Sequence, residues 1–590
     1  TTEIYTLSLH DALPISGMTG PDWIMVAGYF VIMLGIGAWF YSRMRGVKDY
    51  FSGGNRIPWW LSGVSFYMSS FSVAAFVFYP SLCYRHGWVG VTLLWVAVPA
   101  TLFGVLFFAA RWRRARVDSP VEYLETRYSP LLRQLFAWQG IPVRMIDDGI
   151  KLVATGTFIS VCVGVGKAES IVAAGALILL YTFMGGLWAV AVTDFIQFVV
   201  LTAAVLIILP MSVMRAGGLG AVLENAPEGF FRLTAPEFGW GYIIPLVALY
   251  ALAWSSINWS LIQRYYCVPR ERDAVKVGAL VMALYVVGPP MMFFPAIAAT
   301  RFLPGLEDAS QVYPLLCTHL LPPGMLGLAV AAMFAATMST LSSDYNVCAG
   351  VLTTDVYRRL LRPGADQREL VAVGRTATAL VGVVALGAAL LIARGSGEGL
   401  FRTMVTLFGV ATAPVAVPML LGLVSKRYTN ASAVAGFLLG LATGRGLYAV
   451  SKMAAFEAAG LSWNPDTEDL ALGPLVLKME IAMFLATALV TWAVMAVVSA
   501  ALPAGQAAGE RTAAFLARLD APIGSLPEDD HGEGAAESPF RIVGAAVLPV
   551  GLLLLAVTPW IGGGLVLALN VAIGGGLAVV GAALAFARAR

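Results

Sequence analysis

The chain has 590 residues, 59% of them hydrophobic and 12% charged, with a formal net charge of +3. Soluble domains carry about 25% charged residues, so this composition, with a mean hydropathy of +0.78, excludes an ordinary soluble protein and points to lipid. Five cysteines (Cys83, Cys162, Cys267, Cys317, Cys348) lack CxxC spacing and the four histidines are dispersed. No disulfide framework, metal centre, organic cofactor or nucleic-acid partner is therefore indicated.

Residues Thr1 to Ser16 do not match the rest of the chain. They lack a basic start and a signal-peptide core, and resemble a translated sequencing-adapter segment. We take 1–17 as a non-native extension and 18–590 as a single transmembrane domain. Fifteen apolar segments are long enough to cross a bilayer: about 22–42, 58–82, 87–111, 131–164, 168–185, 187–215, 240–264, 273–303, 323–357, 371–394, 400–424, 432–453, 474–501, 540–560 and 563–587. Basic residues follow alternate spans: Arg43, Arg45, Lys48 and Arg56; Arg111, Arg113, Arg114, Arg116 and Arg127; Arg264, Arg270, Arg272 and Lys276; Arg358, Arg359, Arg362 and Arg368; Lys426 and Arg427. Loops 303–323 and 457–473 are poor in Lys and Arg. This alternation predicts an outside N-terminus and a cytoplasmic C-terminus in the plasma (inner) membrane.

The polar residues inside the spans carry the functional signal. The second span holds Met68-Ser69-Ser70-Phe71-Ser72-Val73-Ala74-Ala75, followed by Pro80. Such a run can unwind and free backbone carbonyls for an ion; a kinked but fully bonded helix is the alternative. The fourth span places Arg144, Asp147, Asp148 and Lys151 at i, i+3, i+4 and i+7, a spacing at which they pair as a structural ladder. Asp194 begins a long apolar stretch and is read equally well as an ion ligand or a solvated cap. The seventh span is interrupted at Trp254-Ser255-Ser256-Ile257-Asn258-Trp259. In the ninth span, Ser339, Ser342, Ser343 and Asn346 share one helix face beside Ala335 and Ala336. Without water those hydroxyls must bond a helix or coordinate something, and neutral oxygens suit a hard cation such as sodium. Asp344 points about 100° off that stripe. The stretch 502–539 is rich in Gly, Pro and charge and reads as a cytoplasmic loop. No soluble module is present.

Two weakened helices five spans apart are the layout of two inverted five-helix repeats, about 58–215 and 240–424. The motifs then line up with one family. Lys48-Asp49-Tyr50-Phe51 with Arg56-Ile57-Pro58-Trp59-Trp60, Tyr84-Arg85-His86-Gly87, and Gly185-Gly186 with Thr193-Asp194-Phe195-Ile196-Gln197 occur in order. They are followed by Gln263-Arg264-Tyr265, Met338-Ser339-Thr340-Leu341-Ser342-Ser343 and Asp355-Val356-Tyr357-Arg358-Arg359. The chain resembles the sodium:solute symporter family from residue 22 to about 425.

The resemblance implies an all-α polytopic protein with an inverted-repeat core of five plus five helices. It implies a main sodium site formed by the backbone carbonyls of Met68, Phe71 and Ala336 with the hydroxyls of Ser339 and Thr340. A second sodium site of some members corresponds to Asp194, Ser342 and Ser343. The solute lining expected beside them is Ser72, Ala75, Trp254 and Asn258, with Thr406 as a further position. That lining is apolar and aromatic, with few fixed donors. Sugar-transporting members carry acidic and amide residues where Ala74 and Ala75 stand, and proline carriers an aspartate at Ser70, so the solute class stays open. The reading is sodium-coupled secondary active symport of a small organic solute into the cell by alternating access, with sodium as the coupling ion and no enzymatic activity. The alternatives are a proton-coupled carrier, with Asp194 as its titratable group, and a non-transporting solute sensor.

Overall fold

The computed structural model describes residues 18–41, 53–70, 72–184, 187–393, 399–451, 461–464, 469–472, 475–529 and 539–586. The expected extension 1–17, the motif Lys48–Phe51, Gly185-Gly186 and Phe71 lie outside them. The long helices are α1 Gly20–Tyr41, α2 Trp59–Ser69, α3 Val73–His86, α4 Val89–Trp95, α5 Ala97–Phe107, α6 Pro130–Val163, α7 Lys167–Met184 and α8 Leu187–Arg215. They continue as α9 Trp240–Ser255, α10 Trp259–Tyr266, α11 Glu271–Ala299, α12 Met325–Val351, α13 Gln367–Ile392 and α14 Gly399–Val424. The last five are α15 Asn430–Ser451, α16 Met479–Ala501, α17 Gln506–Asp520, α18 Pro539–Ala556 and α19 Leu565–Phe586.

Among the described residues, 11 helices are long and apolar enough to cross a membrane, and 3 bent pairs pass that test together. Two of those pairs, α2/α3 bent by 62° and α9/α10 bent by 58°, each occupy one expected span. The third, α6/α7, turns by 115° and accounts for two. All fifteen expected segments are thus represented. A broken helix heads each successive run of five spans: α2/α3, α4/α5, α6, α7 and α8, then α9/α10, α11, α12, α13 and α14.

Local chemistry sets the breaks. At the first, Ser70 ends α2 and Ser72 starts α3, its hydroxyl accepting from the Ala74 amide at 3.2 Å. The Val73 amide, freed from helical bonding, donates to Thr337 Oγ1 of α12 at 3.2 Å. At the second, the Asn258 amide reaches back to the Ala253 carbonyl at 2.8 Å, and the Ile257 carbonyl accepts from Arg144 of α6 at 2.9 Å. Both breaks are sealed by residues of other helices, as a membrane interior requires.

Helix α12 is the axis of the molecule: all its residues from Met325 to Val351 are buried, against α1, α2, α6, α8 and α13. Its N-terminus is fixed by Asp22 of α1. One oxygen of that buried carboxylate accepts from the Thr19 amide at 2.9 Å, capping α1; the other accepts from the Gly324 and Gly327 amides at 2.7 and 2.8 Å, capping α12. Gly327 is required here, because a Cβ would run into the backbone of Asp22.

Two features depart from the expected course of the chain within a protein that is otherwise helical as expected. Residues 461–478 contain three short antiparallel strands, β1 Leu461–Asn464, β2 Asp469–Leu472 and β3 Leu475–Lys478, where a loop and the start of a helix were expected. Alternation of Leu470, Leu472, Leu475 and Leu477 with other residues is the period-2 signal of a strand, and Leu470 packs on Met479 and Met483 of α16. The expected loop 502–539 contains the amphipathic helix α17. Its apolar face (Phe515, Leu516, Leu519) is buried, and Phe515 stacks on Tyr123 with ring centroids 6.0 Å apart. Arg116, held at φ +52°, accounts for the attachment: it donates to both oxygens of Asp529 at 2.7 and 2.9 Å and to the carbonyls of Arg518, Ala521 and Pro522 at 3.1–3.3 Å.

Replacement of Asp22 by Asn weakens the shared cap, and the detergent-solubilised protein is expected to lose about 1–2 kcal/mol in thermal or denaturant unfolding. Gly327→Val is expected to prevent folding. The hydrogen bonds from Arg116 hold the Asp529 carboxyl well below the usual carboxylate range. A depressed value means the clamp is complete above that range and is lost only as pH falls through the lowered value. Trypsin should therefore cut at Arg511 and Arg518 several-fold faster in Arg116→Ala. The wild-type rate, corrected for trypsin's own pH dependence, should stay flat from neutral pH to about 5.

Candidate functional site

Three of the five expected main-site residues, Met68, Ala336 and Thr340, meet where α12 crosses the break of α2/α3. Thr340 Oγ1 lies 3.4 Å from the Met68 carbonyl and 3.2 Å from the Ala336 carbonyl. Both carbonyls and the hydroxyl are buried within helices, so this is a pocket of neutral oxygens with no titratable member. Phe71 lies outside the described residues. Ser339 faces elsewhere: its hydroxyl donates to Asp194 Oδ1 at 2.7 Å.

The expected second set comes together only in part. Asp194 and Ser343 face the same spot, where the Ser69 and Ser343 hydroxyls lie 2.8 Å apart. Ser342 turns away, its hydroxyl donating back to the Ser339 carbonyl at 3.2 Å, the local bond to which serine is prone in a helix. A residue without an assigned role occupies the centre. Arg264, fully buried on α10, donates to Ser343 Oγ at 2.7 Å and Ser65 Oγ at 2.7 Å, and its Nη2 lies 3.5 Å from Asp194 Oδ2. Ser65 also donates to Asp194. The run of basic residues after the seventh span predicts a loop position for Arg264. The helix α10 instead carries it inward, and Asp194 is a paired buried carboxylate rather than a solvated cap.

The four expected solute residues, Ser72, Ala75, Trp254 and Asn258, line one cavity. It holds about 920 Å³ of empty space including its mouth and lies between the two breaks. Thr406 is not on its wall; Phe408 is. The lining is less apolar than expected, because Arg144, Asp147 and Lys151 of α6 also border it. Their charges pair, as the spacing predicts, and recruit Asp344 of α12. Lys151 Nζ sits among three carboxylates, 2.8 Å from Asp147, 3.0 Å from Asp148 and 2.9 Å from Asp344. Arg144 lies 3.5 Å from Asp147 and 3.6 Å from Asp344 and donates to the Asn258 side chain. The off-stripe position of Asp344 is explained: it faces α6, not the ion pocket. Thr337, also unassigned from sequence, seals the first break and bonds Thr155 of α6 at 2.7 Å.

Comparison with known proteins matches the family model "sodium:solute symporter family" over residues 50–229 and 260–440. The sodium/sialic acid symporter NanT of Aliivibrio fischeri is 25% identical, over 72% of this chain and 86% of that one. The human sodium/iodide cotransporter is 28% identical, over 70% and 68%. A solved substrate-bound, outward-open state of a Na+-coupled sialic acid symporter has the same fold, with a TM-score of 0.69 at 21% identity, covering 82% of this chain and 98% of that chain. On the family match, together with the broken-helix core, the chain belongs to the sodium:solute symporter family.

Proposed function

We propose that the chain couples the inward movement of sodium to uptake of a small solute across the plasma membrane, with its N-terminus outside and its C-terminus in the cytoplasm. The observation that carries the ion assignment is the approach of Thr340 Oγ1 to the Met68 carbonyl, 3.4 Å away at the end of α2 beside its break; the 3.2 Å bond to the Ala336 carbonyl is the local back-bond of a helical threonine, which keeps the hydroxyl beside that carbonyl. Helix ends and unwound carbonyls bind sodium well in a dry site, and hydroxyls that cannot ionise near neutral pH favour sodium over a proton.

Sodium at this point bridges α12 to the broken helix. The same break places Ser72 on the cavity wall, so binding of the ion orders one side of the solute site. Each ligand then raises the other's affinity by the same factor. Phe71 contributes a further carbonyl and Ser339 a hydroxyl once it leaves Asp194. After the core turns inward, sodium leaves past Asp194. A second sodium at Asp194 and Ser343 has to compete with the Arg264 guanidinium for the same oxygens. The two repeats, about 58–215 and 240–424, supply the rocking elements.

Two measurements test the assignment. Sodium, relative to potassium, should raise the unfolding temperature of the solubilised protein, since a ligand that binds only the folded state stabilises it. Thr340→Val should abolish this shift, whereas Ser342→Ala should keep it; equal shifts in both variants would refute the pocket. The Asp194–Arg264 pair should show strong coupling. Asp194→Asn leaves a buried unpaired guanidinium and should cost about 3–5 kcal/mol, and adding Arg264→Gln should recover much of that loss.

A further inference from the structure

The break between α2 and α3 frees amides and carbonyls that an unbroken helix would pair. In such a helix the Ser72 amide would bond the Met68 carbonyl, and the Val73 amide the Ser69 carbonyl. Three successive amides at the start of α3 are diverted instead. Two stay within the segment: Ala74 donates to Ser72 Oγ at 3.2 Å and Ala75 to the Ser72 carbonyl at 2.9 Å. The third, Val73, leaves it and donates to Thr337 Oγ1 of α12 at 3.2 Å.

Thr337 is itself anchored, and the direction of each bond follows from the hydrogens available. Thr155 of α6 donates its hydroxyl hydrogen to the Lys151 carbonyl at 2.8 Å. In its 2.7 Å contact with Thr337 it therefore accepts, and Thr337 donates. The chain runs one way, from the Val73 amide to Thr337, then to Thr155, then to the Lys151 carbonyl. Both threonines are fully buried, so a lost partner is not replaced from bulk water. Thr337 and Thr340 lie three residues apart on one face of α12, and they grip opposite ends of the break. Thr340 Oγ1 is 3.4 Å from the Met68 carbonyl of α2, and Thr337 holds the first amide of α3.

We propose that Thr337 is a positioning residue of the sodium pocket: by capturing the Val73 amide it stops α2 and α3 from rewinding toward one continuous helix, and so keeps the Met68 carbonyl free for the ion. This rests on the sodium reading above and deepens it. Without that bond, molecules whose break has rewound do not offer the carbonyl, and the apparent affinity falls by the fraction still open. The same chain of bonds ties the ion pocket to the solute cavity, because Lys151 and Ser72 both border that cavity.

The test is a sodium titration of the full-length protein in detergent, at constant ionic strength with potassium as the balancing ion, read by thermal shift. Thr337→Val keeps the shape of the side chain and removes the hydroxyl; it should raise the half-saturating sodium concentration about tenfold or more. Thr337→Ser, which keeps the hydroxyl, should stay within about twofold of wild type. A purely structural role predicts a lower unfolding temperature of Thr337→Val in potassium, with an unchanged half-saturating concentration. That result, or equal weakening in the valine and serine variants, overturns the proposal and leaves the sodium reading intact. If Thr337→Val does not fold, Thr155→Val decides, since it removes the anchor and leaves Thr337 in place. It should raise the half-saturating concentration about threefold or more, and an unchanged value overturns the proposal. A wild-type protein that shows no sodium shift overturns the sodium reading, and this proposal with it.

Discussion

Burial of polar groups without water is the constraint on which this structure depends, and α12 carries most of it. The helix has no exposed face, yet it bears Thr337, Ser339, Thr340, Ser342, Ser343, Asp344 and Asn346. In a bilayer each of these needs a partner from the protein. The partners differ in kind around the helix, and that difference divides its surface into functions. Thr337 meets an unwound amide, Thr340 two carbonyls, Ser339 and Ser343 the Asp194–Arg264 pair, and Asp344 a lysine and an arginine.

The two broken helices are therefore not independent weak points. The first is closed by a hydroxyl of α12, and the second by the Arg144 guanidinium, which is itself tied to α12 through Asp344. Any ligand that alters the contact at one break acts on a helix that also supports the other. That is a physical basis for coupling: a shared rigid element between two sites, each with exchangeable partners. The cavity lies between the breaks, with Ser72 from one and Asn258 from the other on its wall, so a solute there touches both.

Much of this was legible in the sequence because membrane helices announce themselves by apolar length and because polar residues inside them are rare. The breaks at Ser69–Ser72 and Ser255–Asn258, the serine stripe and the charge ladder at Arg144–Lys151 all follow from those two signals. What escaped depends on tertiary placement. Arg264 stands at the end of an apolar span, where sequence reasoning assigns arginine to a loop; only the 58° bend between α9 and α10 turns it inward. Asp344 looked anomalous because a helical projection shows which way a side chain points but not what waits there. Its partners, 193 positions away in the case of Lys151, leave no local trace. The three short strands were masked by a composition that otherwise favours helix, and α17 by the charge of the loop that carries it.

The two buried charge groups packed against α12 contrast in a way that assigns them different work. Asp194 and Arg264 neutralise one another and are surrounded by hydroxyls that can bond either of them. Such a pair holds the crossing of α2, α8, α10 and α12 together from within. The cluster at Asp147, Asp148, Lys151, Arg144 and Asp344 is a ladder between two helices: Lys151 faces all three carboxylates and Arg144 two of them, which ties α6 to α12. Three of its members, Arg144, Asp147 and Lys151, also border the cavity. One group is thus enclosed by hydroxyls and the other opens onto the solute cavity. Both groups are anchored on α12, so a change in the partners of either one bears on the helix that the other also grips.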